Sequence, residues 1–365
     1  MLRVSRMIKP VPHIAAMAPY ALASLSVPPD KVLISLSQNE SLRPASPRAV
    51  AAGAAALADA QLYPDPDWTA LRRALAQRYE LSEGNILCGS GSMELIACLA
   101  LAYADANNAV LAPEHAYPYF RTAASLSQAR FDTAPEDNLH VSVDALLAAC
   151  QPDTSLVFVA NPANPTGTRI PRADLYRLRK GLPARVLLVI DEAYGEFADH
   201  LNEPCFDLVS RGDTVVLRTL SKAYGLAGAR VGWGVIPQDI ATQLRKVMAP
   251  NNISAASQAA AVAALEDYSY MRETCTQTAR LRAGFVNNLS AAGFDVLPSF
   301  TNFVLLRFAD TATARSADSA LRAQGIVARA QSGVGLGNCL RITVGTAEAL
   351  DAAAICLQDW KGSMT

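Results

Sequence analysis

The sequence predicts an α/β fold: a three-layer αβα large domain around a mainly parallel seven-stranded sheet, with a smaller α+β C-terminal domain. Two observations predict it. From about residue 45 helix-period segments alternate with short apolar runs, which is how helices laid on a parallel sheet read. Two runs, Leu156 to Ala160 and Val186 to Ile190, are apolar throughout, as strands covered on both faces must be.

The strand candidates are Ile86-Leu87-Cys88, Ala109 to Ala112, Ala129-Arg130-Phe131, Leu156 to Ala160, Val186 to Ile190, Val215-Val216-Leu217 and Val231 to Val235. After Pro250 the texture changes. A long Ala-rich helical region runs from about Ser254 to Leu289, followed by a strand pair (Phe294 to Val296; Phe303 to Leu306). A helix near Ser316 to Ala323, a strand at Cys339 to Val344 and a closing helix complete the chain. The expected division is an N-terminal arm over 1–35, a large domain over 36–250 and a small domain over 251–365.

The 365 residues can bury a large core. Lys and Arg number 32 against 33 Asp and Glu, so there is no basic field for nucleic acid or a membrane surface. Seven scattered cysteines without a CxxC read as reduced thiols, which points to the cytoplasm. Arg3, Arg6 and Lys9 precede a mildly apolar stretch, but Pro10, Pro12 and Pro19 interrupt it, so it reads as an arm. Four well-separated histidines have no metal-type spacing, and no metal site is expected.

Polar clusters follow three of the strands: Asn161 and Asn164, Asp191 and Tyr194, Ser221 and Lys222. In open α/β sheets functional groups gather beyond the carboxyl ends of strands, so these imply one shared cleft. Lys222 sits on a tight turn between two buried strands, where an ammonium loses hydration. Held as a Schiff base of pyridoxal phosphate it avoids that cost, and Thr219, Ser221 and Arg230 suit the cofactor's phosphate; a surface lysine after a strand fits the segment equally well. Asp191 can keep a pyridine nitrogen protonated or merely cap a helix. Asn161-Pro162-Ala163-Asn164-Pro165-Thr166-Gly167 is turn chemistry in either case. Gly89-Ser90-Gly91 between a strand and a helix suits a phosphate, although Gly-Ser turns are common.

Together these segments resemble the histidinol-phosphate aminotransferase branch of the class I/II aminotransferases, fold-type I pyridoxal-phosphate enzymes. The resemblance runs from Pro19-Tyr20 through Tyr63-Pro64-Asp65, Gly89-Ser90-Gly91, Tyr117, Asn164 to Gly167, Asp191 to Tyr194 and Ser221-Lys222 to the stretch Cys339 to Gly345. It implies that Lys222 forms the internal aldimine and then shuttles the proton. Asp191 pairs with the pyridine nitrogen, Asn164 and Tyr194 hold the phenolic oxygen, and Tyr117 stacks on the ring. The backbone of Ser90 and Gly91, with Thr219, Ser221 and Arg230, binds the phosphate. Tyr63 reaches the cofactor of a neighbouring subunit, which implies a homodimer. Arg341 anchors the substrate's acidic group, with Arg329 a second candidate and Tyr20, Asn39 and Arg43 near the substrate.

The implied reaction moves an amino group from histidinol phosphate or a related amino compound to a 2-oxo acid such as 2-oxoglutarate, with ping-pong kinetics. An aromatic amino acid aminotransferase and a threonine-phosphate decarboxylase remain alternatives. A regulator built on this scaffold needs an attached DNA-binding segment, which the 365 residues do not contain. One stretch departs from the family: Asn39-Glu40-Ser41-Leu42-Arg43-Pro44 stands where relatives carry Asn-Glu-Asn-Pro-aromatic-Gly. If Arg43 points inward it adds a cation that favours a substrate with a distal acidic group; a solvated arginine is the plain alternative.

Overall fold

In the computed structural model, which describes residues 8–20, 24–201 and 204–363, the central sheet has seven strands. They are β1 (Ile86–Ser90), β2 (Ala109–Pro113), β3 (Arg130–Ala134), β4 (Thr154–Ala160), β5 (Leu187–Asp191), β6 (Thr214–Thr219) and β7 (Val231–Val235). Their order is β1-β7-β6-β5-β4-β2-β3, with β7 alone antiparallel to both its neighbours. Helices cover both faces, so Leu156 to Val159 and Leu188 to Ile190 have no exposed surface. Each such side chain contributes about 1.5–3 kcal/mol by leaving water.

All seven expected strands join this sheet, within a residue or a few at their ends. The Ala-rich region divides into helices Ala255–Glu266 and Tyr268–Ala291 because the backbone leaves helical geometry at Asp267, with ψ 52°. The first of them, drawn by the sequence into the smaller unit, packs on helices Pro47–Ala56 and Thr69–Tyr79 and shares the sheet's core through Ala261 and Leu265. Helix Thr311–Ala323 starts earlier than expected, at an N-cap where Asp310 Oδ1 accepts from Thr313 N at 2.7 Å.

The second core gathers Phe285, Leu289, Val304, Leu306, Ile342 and Leu357 behind a four-stranded sheet of order Asp295–Val296, Phe303–Arg307, Leu336–Thr343, Arg329–Gln331. Leu36 belongs to it. Residues Ile34–Ser35 pair in parallel with Ile326–Val327, and Thr343 N donates to Leu36 O at 2.8 Å. Residues 34–36, where the arm passes into the large domain, are therefore a strap stitched to the second sheet. Within the arm Pro12–Ala15 form a short helix; Arg3 and Arg6 lie outside the described residues.

Candidate active site

The topology explains why distant residues meet. Strands β4, β5 and β6 are parallel and adjacent, with Ala160 opposite Asp191 and Asp191 opposite Leu217, so the residues that follow them emerge side by side. Antiparallel β7 begins at that edge, with Val231 opposite Ser90, which delivers Arg230 beside the Gly91 turn. The cleft along this edge has a volume of about 1140 Å³. Asn164, Asp191, Tyr194, Thr219, Ser221 and Lys222 line it from the sheet, with Arg230 and Tyr117.

Lys222 lies half-buried on the floor, its Nζ donating to Gln38 O at 3.3 Å and lying 5.9 Å from the centre of the Tyr194 ring. Burial lowers its pKa from 10.5 to about 8, and the Arg341 cation adds to the effect. Asp191 is buried, its Oδ1 accepting from Ala193 N at 3.1 Å. Burial raises its pKa from 3.8 to about 7. An amine pushed towards neutrality and a carboxyl raised by burial thus share one wall, a pairing typical of sites that move protons. Burial pushes the Tyr117 phenol up, and the nearby Tyr20 adds to the effect.

The opposite wall comes from the strap and the second sheet. Arg341, on the strand Leu336–Thr343, is buried; its Nη1 donates to Asn164 Oδ1 at 2.7 Å and its Nη2 to Ser37 O at 2.8 Å, while its Nε has no partner among the described residues. Arg329 stands opposite it in the ladder and also lines the cleft. Burial lowers the pKa of Arg341, and Arg329 reinforces this. Two guanidinium groups on one wall suit a carboxylate or phosphate. Asn39 lines the cleft too, but both ends of its side-chain amide are engaged by protein, Nδ2 donating to Tyr194 Oη at 2.7 Å and Oδ1 accepting from Thr343 Oγ1 at 3.3 Å.

At the far end Gly91 precedes helix Ser92–Tyr103 with φ +76°, and a Cβ there would lie 2.5 Å from Arg230 Nη2. The strand passing behind is also tight: a Cβ on Gly232 would collide with Ser92 N. Arg230 Nη1 lies 3.4 Å from Ser221 Oγ, and Thr219 Oγ1 lies 2.9 Å from the same oxygen. A helix start, two hydroxyls and a guanidinium make an anion cradle.

Three expectations are placed differently. The Ser90 amide is spent on Glu94, N to Oε2 2.6 Å, so Ser92 and Met93, in the first helical turn, face the cleft in its place. Arg43 does not line the cleft: its Nη1 bonds Glu273 Oε2 at 2.7 Å and its guanidinium lies 4.0 Å above the Tyr270 ring, so the inward cation is replaced by a pairing with the helix Tyr268–Ala291. Tyr63 is 88% exposed and outside its own chain's cleft. Sequence reading also missed the carbonyls of Ser37 and Gln38, whose only signal is adjacency to Asn39, and the short arm helix, which brings His13 to the cleft mouth.

An open α/β sheet with a lysine, a carboxyl and an anion cradle at its carboxyl edge defines a class of group-transfer enzyme. The model of the family aminotransferase class I and II matches residues 31–356. The histidinol-phosphate aminotransferase of Rhodospirillum centenum is 42% identical over 96% of this chain and 98% of its own, and that of Paramagnetospirillum magneticum is 39% identical over 97% and 99%. The solved histidinol-phosphate aminotransferase of Sinorhizobium meliloti, in complex with pyridoxal-5'-phosphate, superposes with a TM-score of 0.91 at 29% identity, covering 99% of this chain and all of that one. An aspartate aminotransferase mutant of Thermus thermophilus shares the fold, with a TM-score of 0.82 at 19% identity over 97% of this chain and all of that one. This chain belongs to the class I and II aminotransferases. The relatives favour amino transfer over the decarboxylase alternative.

Proposed function

We propose that the chain uses pyridoxal phosphate, bound through Lys222, to move the amino group of histidinol phosphate to a 2-oxo acid such as 2-oxoglutarate. The observation that carries this reading is the half-buried Lys222 amine on the cleft floor, sharing a wall with buried Asp191 and facing buried Arg341. The residues present fit the cofactor. The phosphate would take the Gly91 turn, Thr219, Ser221 and Arg230, a cradle that a Cβ on Gly91 would fill. Asp191, buried and without a cationic hydrogen-bond partner among the described residues, suits a protonated ring nitrogen. Tyr117 would lie against the ring, with Asn164 and Tyr194 on its phenolic oxygen.

Bound there, the cofactor supplies a carbonyl carbon that takes the amino group and a ring that accepts the electron pair left when a substrate proton is removed. Once the substrate's amino group has displaced Lys222 from the cofactor, the lysine amine, near neutrality, would take that proton and return it on the other side of the transfer. Arg341 and Arg329 hold the substrate's acidic group, and the unpartnered Nε of Arg341 is a remaining donor for it. The arm lines the cleft mouth with Tyr20. Val50, Leu57, Leu62 and Tyr63 are exposed large apolar side chains close together in the chain, which supports a homodimer in which Tyr63 would enter the neighbouring cleft.

Purified protein given pyridoxal phosphate is expected to gain a visible absorption band that histidinol phosphate bleaches and 2-oxoglutarate restores, with no band in Lys222→Ala. A wild-type protein that gains no band, or a bleached band that no 2-oxo acid restores, overturns the reading.

A further inference from the structure

Asn39 stands at a crossing of the strap, the second sheet and the cleft. Its backbone is left-handed, φ 54°, a conformation asparagine tolerates better than most residues. Asn302 Nδ2 donates to its carbonyl at 3.1 Å, and its own N donates to Thr343 Oγ1 at 3.0 Å. The Thr343 hydroxyl, already an acceptor, sends its proton to Asn39 Oδ1 at 3.3 Å. In this arrangement the amide oxygen faces Thr343 and the amide nitrogen faces Tyr194. Asn39 Nδ2 meets Tyr194 Oη at 2.7 Å, and Tyr194 receives a proton there.

A phenol that accepts on one side must direct its own hydrogen elsewhere. Phe303 stands edge-on to the Tyr194 ring, centroids 5.2 Å apart, and Tyr194 lines the cleft. We infer that Asn39 is a positioning residue: Thr343 and Asn39 together aim the Tyr194 hydroxyl proton into the cleft, so that the strap and the second sheet set the donor direction of a tyrosine carried by the first. The inference rests on the cofactor reading above, in which that proton meets the phenolic oxygen of pyridoxal phosphate. It removes Asn39 from the residues expected to touch substrate.

The test uses the holoenzyme and the pH at which its visible band changes. A hydrogen bond donated to the phenolic oxygen stabilises the anionic oxygen and lowers that midpoint. Tyr194→Phe is expected to raise it by about one pH unit, and Asn39→Ala by about half a unit. In the double variant the midpoint equals that of Tyr194→Phe alone, because Asn39 acts only through Tyr194. Thr343→Val, a near-isosteric change, reproduces the Asn39→Ala shift and keeps the test available if Asn39→Ala does not fold. A merely structural Asn39 alters melting temperature without this dependence on Tyr194. Shifts that add in the double variant, or no shift in Tyr194→Phe, Asn39→Ala or Thr343→Val, overturn the inference. A wild-type protein with no band at all overturns the cofactor reading instead.

Discussion

Arg341 and Asn164 meet across the cleft, Nη1 to Oδ1 at 2.7 Å, joining the second sheet to the turn after β4. Because Asn164 accepts through its oxygen, its Nδ2 is left to donate. Arg341 therefore both holds an acidic substrate and orients a cofactor ligand in the proposed function. Arg341→Lys keeps the charge but cannot reach Asn164 and Ser37 O together. A misplaced cation loses the charge-assisted bonding to the substrate's acidic group, about 1.5–3 kcal/mol, which predicts a fall of roughly 10- to 100-fold in kcat/KM for histidinol phosphate. Steady-state kinetics of Arg341→Lys beside Arg341→Leu check this; an Arg341→Lys enzyme within threefold of wild type contradicts it.

Asp191 makes the cofactor-free chain less stable than it could be. Its folded pKa is raised from 3.8 to about 7, so between those values the folded chain holds a proton that the unfolded chain has released, and stability falls as pH rises. Lys222 acts in the opposite sense: its folded pKa is lowered from 10.5 to about 8, so its burial penalty disappears as pH rises between those values. Asp191→Asn is thus expected to raise Tm by about 3 °C or more at pH 8 without added cofactor and to leave it unchanged near pH 4, while abolishing amino transfer. Melting curves of both proteins at the two pH values decide it; an equal Tm difference at both contradicts the titration argument.

Arg218, the residue before Thr219, is fully buried with three carboxylates: Glu192 Oε2 and Asp199 Oδ1 at 2.8 Å and Glu196 Oε1 at 3.4 Å. Burial works against its charge, and the carboxylates more than offset that. Glu192 directly follows Asp191, so the cluster clamps β5 to β6 where the site emerges. Arg218→Met leaves buried like charges and is expected to cost about 3–5 kcal/mol at pH 8. The loss shrinks at pH 5.5, because burial raises the pKa of Glu196 to about 7, so that it takes up a proton, and burial pushes Glu192 in the same direction. Urea unfolding at both pH values measures it, and a loss independent of pH contradicts the account.

The sheet was legible because Leu156 to Ala160 and Leu187 to Ile190 are covered on both faces and carry no polar residue to obscure them. The cleft was legible for a related reason: polar groups directly after such runs can only lie at the carboxyl edge. What the sequence hid depends on partners far along the chain. Ser90 loses its amide to Glu94 and Asn39 is captured by Tyr194 and Thr343, pairings that no local spacing encodes. The strap at 34–36 is too short for a periodic signal, and Asp267 interrupts a helix without a proline or glycine to mark it.

Arg43 turns away from the cleft, and its pairing predicts a small effect. Glu273 is 69% exposed on its side-chain surface, so the ion pair and the Tyr270 stacking together contribute about 1 kcal/mol or less. Arg43→Ala should lower Tm slightly and leave kcat/KM for acidic and neutral amino donors in the same ratio as wild type. A selective loss on acidic donors, measured over a donor panel, returns Arg43 to the substrate.

Tyr63, exposed on its own chain, is proposed to complete the partner's cleft. That geometry makes a prediction no single variant can. Lys222→Ala removes the amine of its own site, and Tyr63→Ala impairs the site across the interface. In a mixed dimer both defects fall on one cleft, which leaves the other with an intact Lys222 and an intact Tyr63. Co-unfolding and refolding the two inactive variants in equal amounts gives half mixed dimers, each with one working site, so activity should return to roughly a quarter of wild type. Refolding either variant alone gives no recovery. If the mixture stays at the sum of the two variants, Tyr63 does not serve a neighbouring site, while the Lys222 and Asp191 chemistry is untouched by that result.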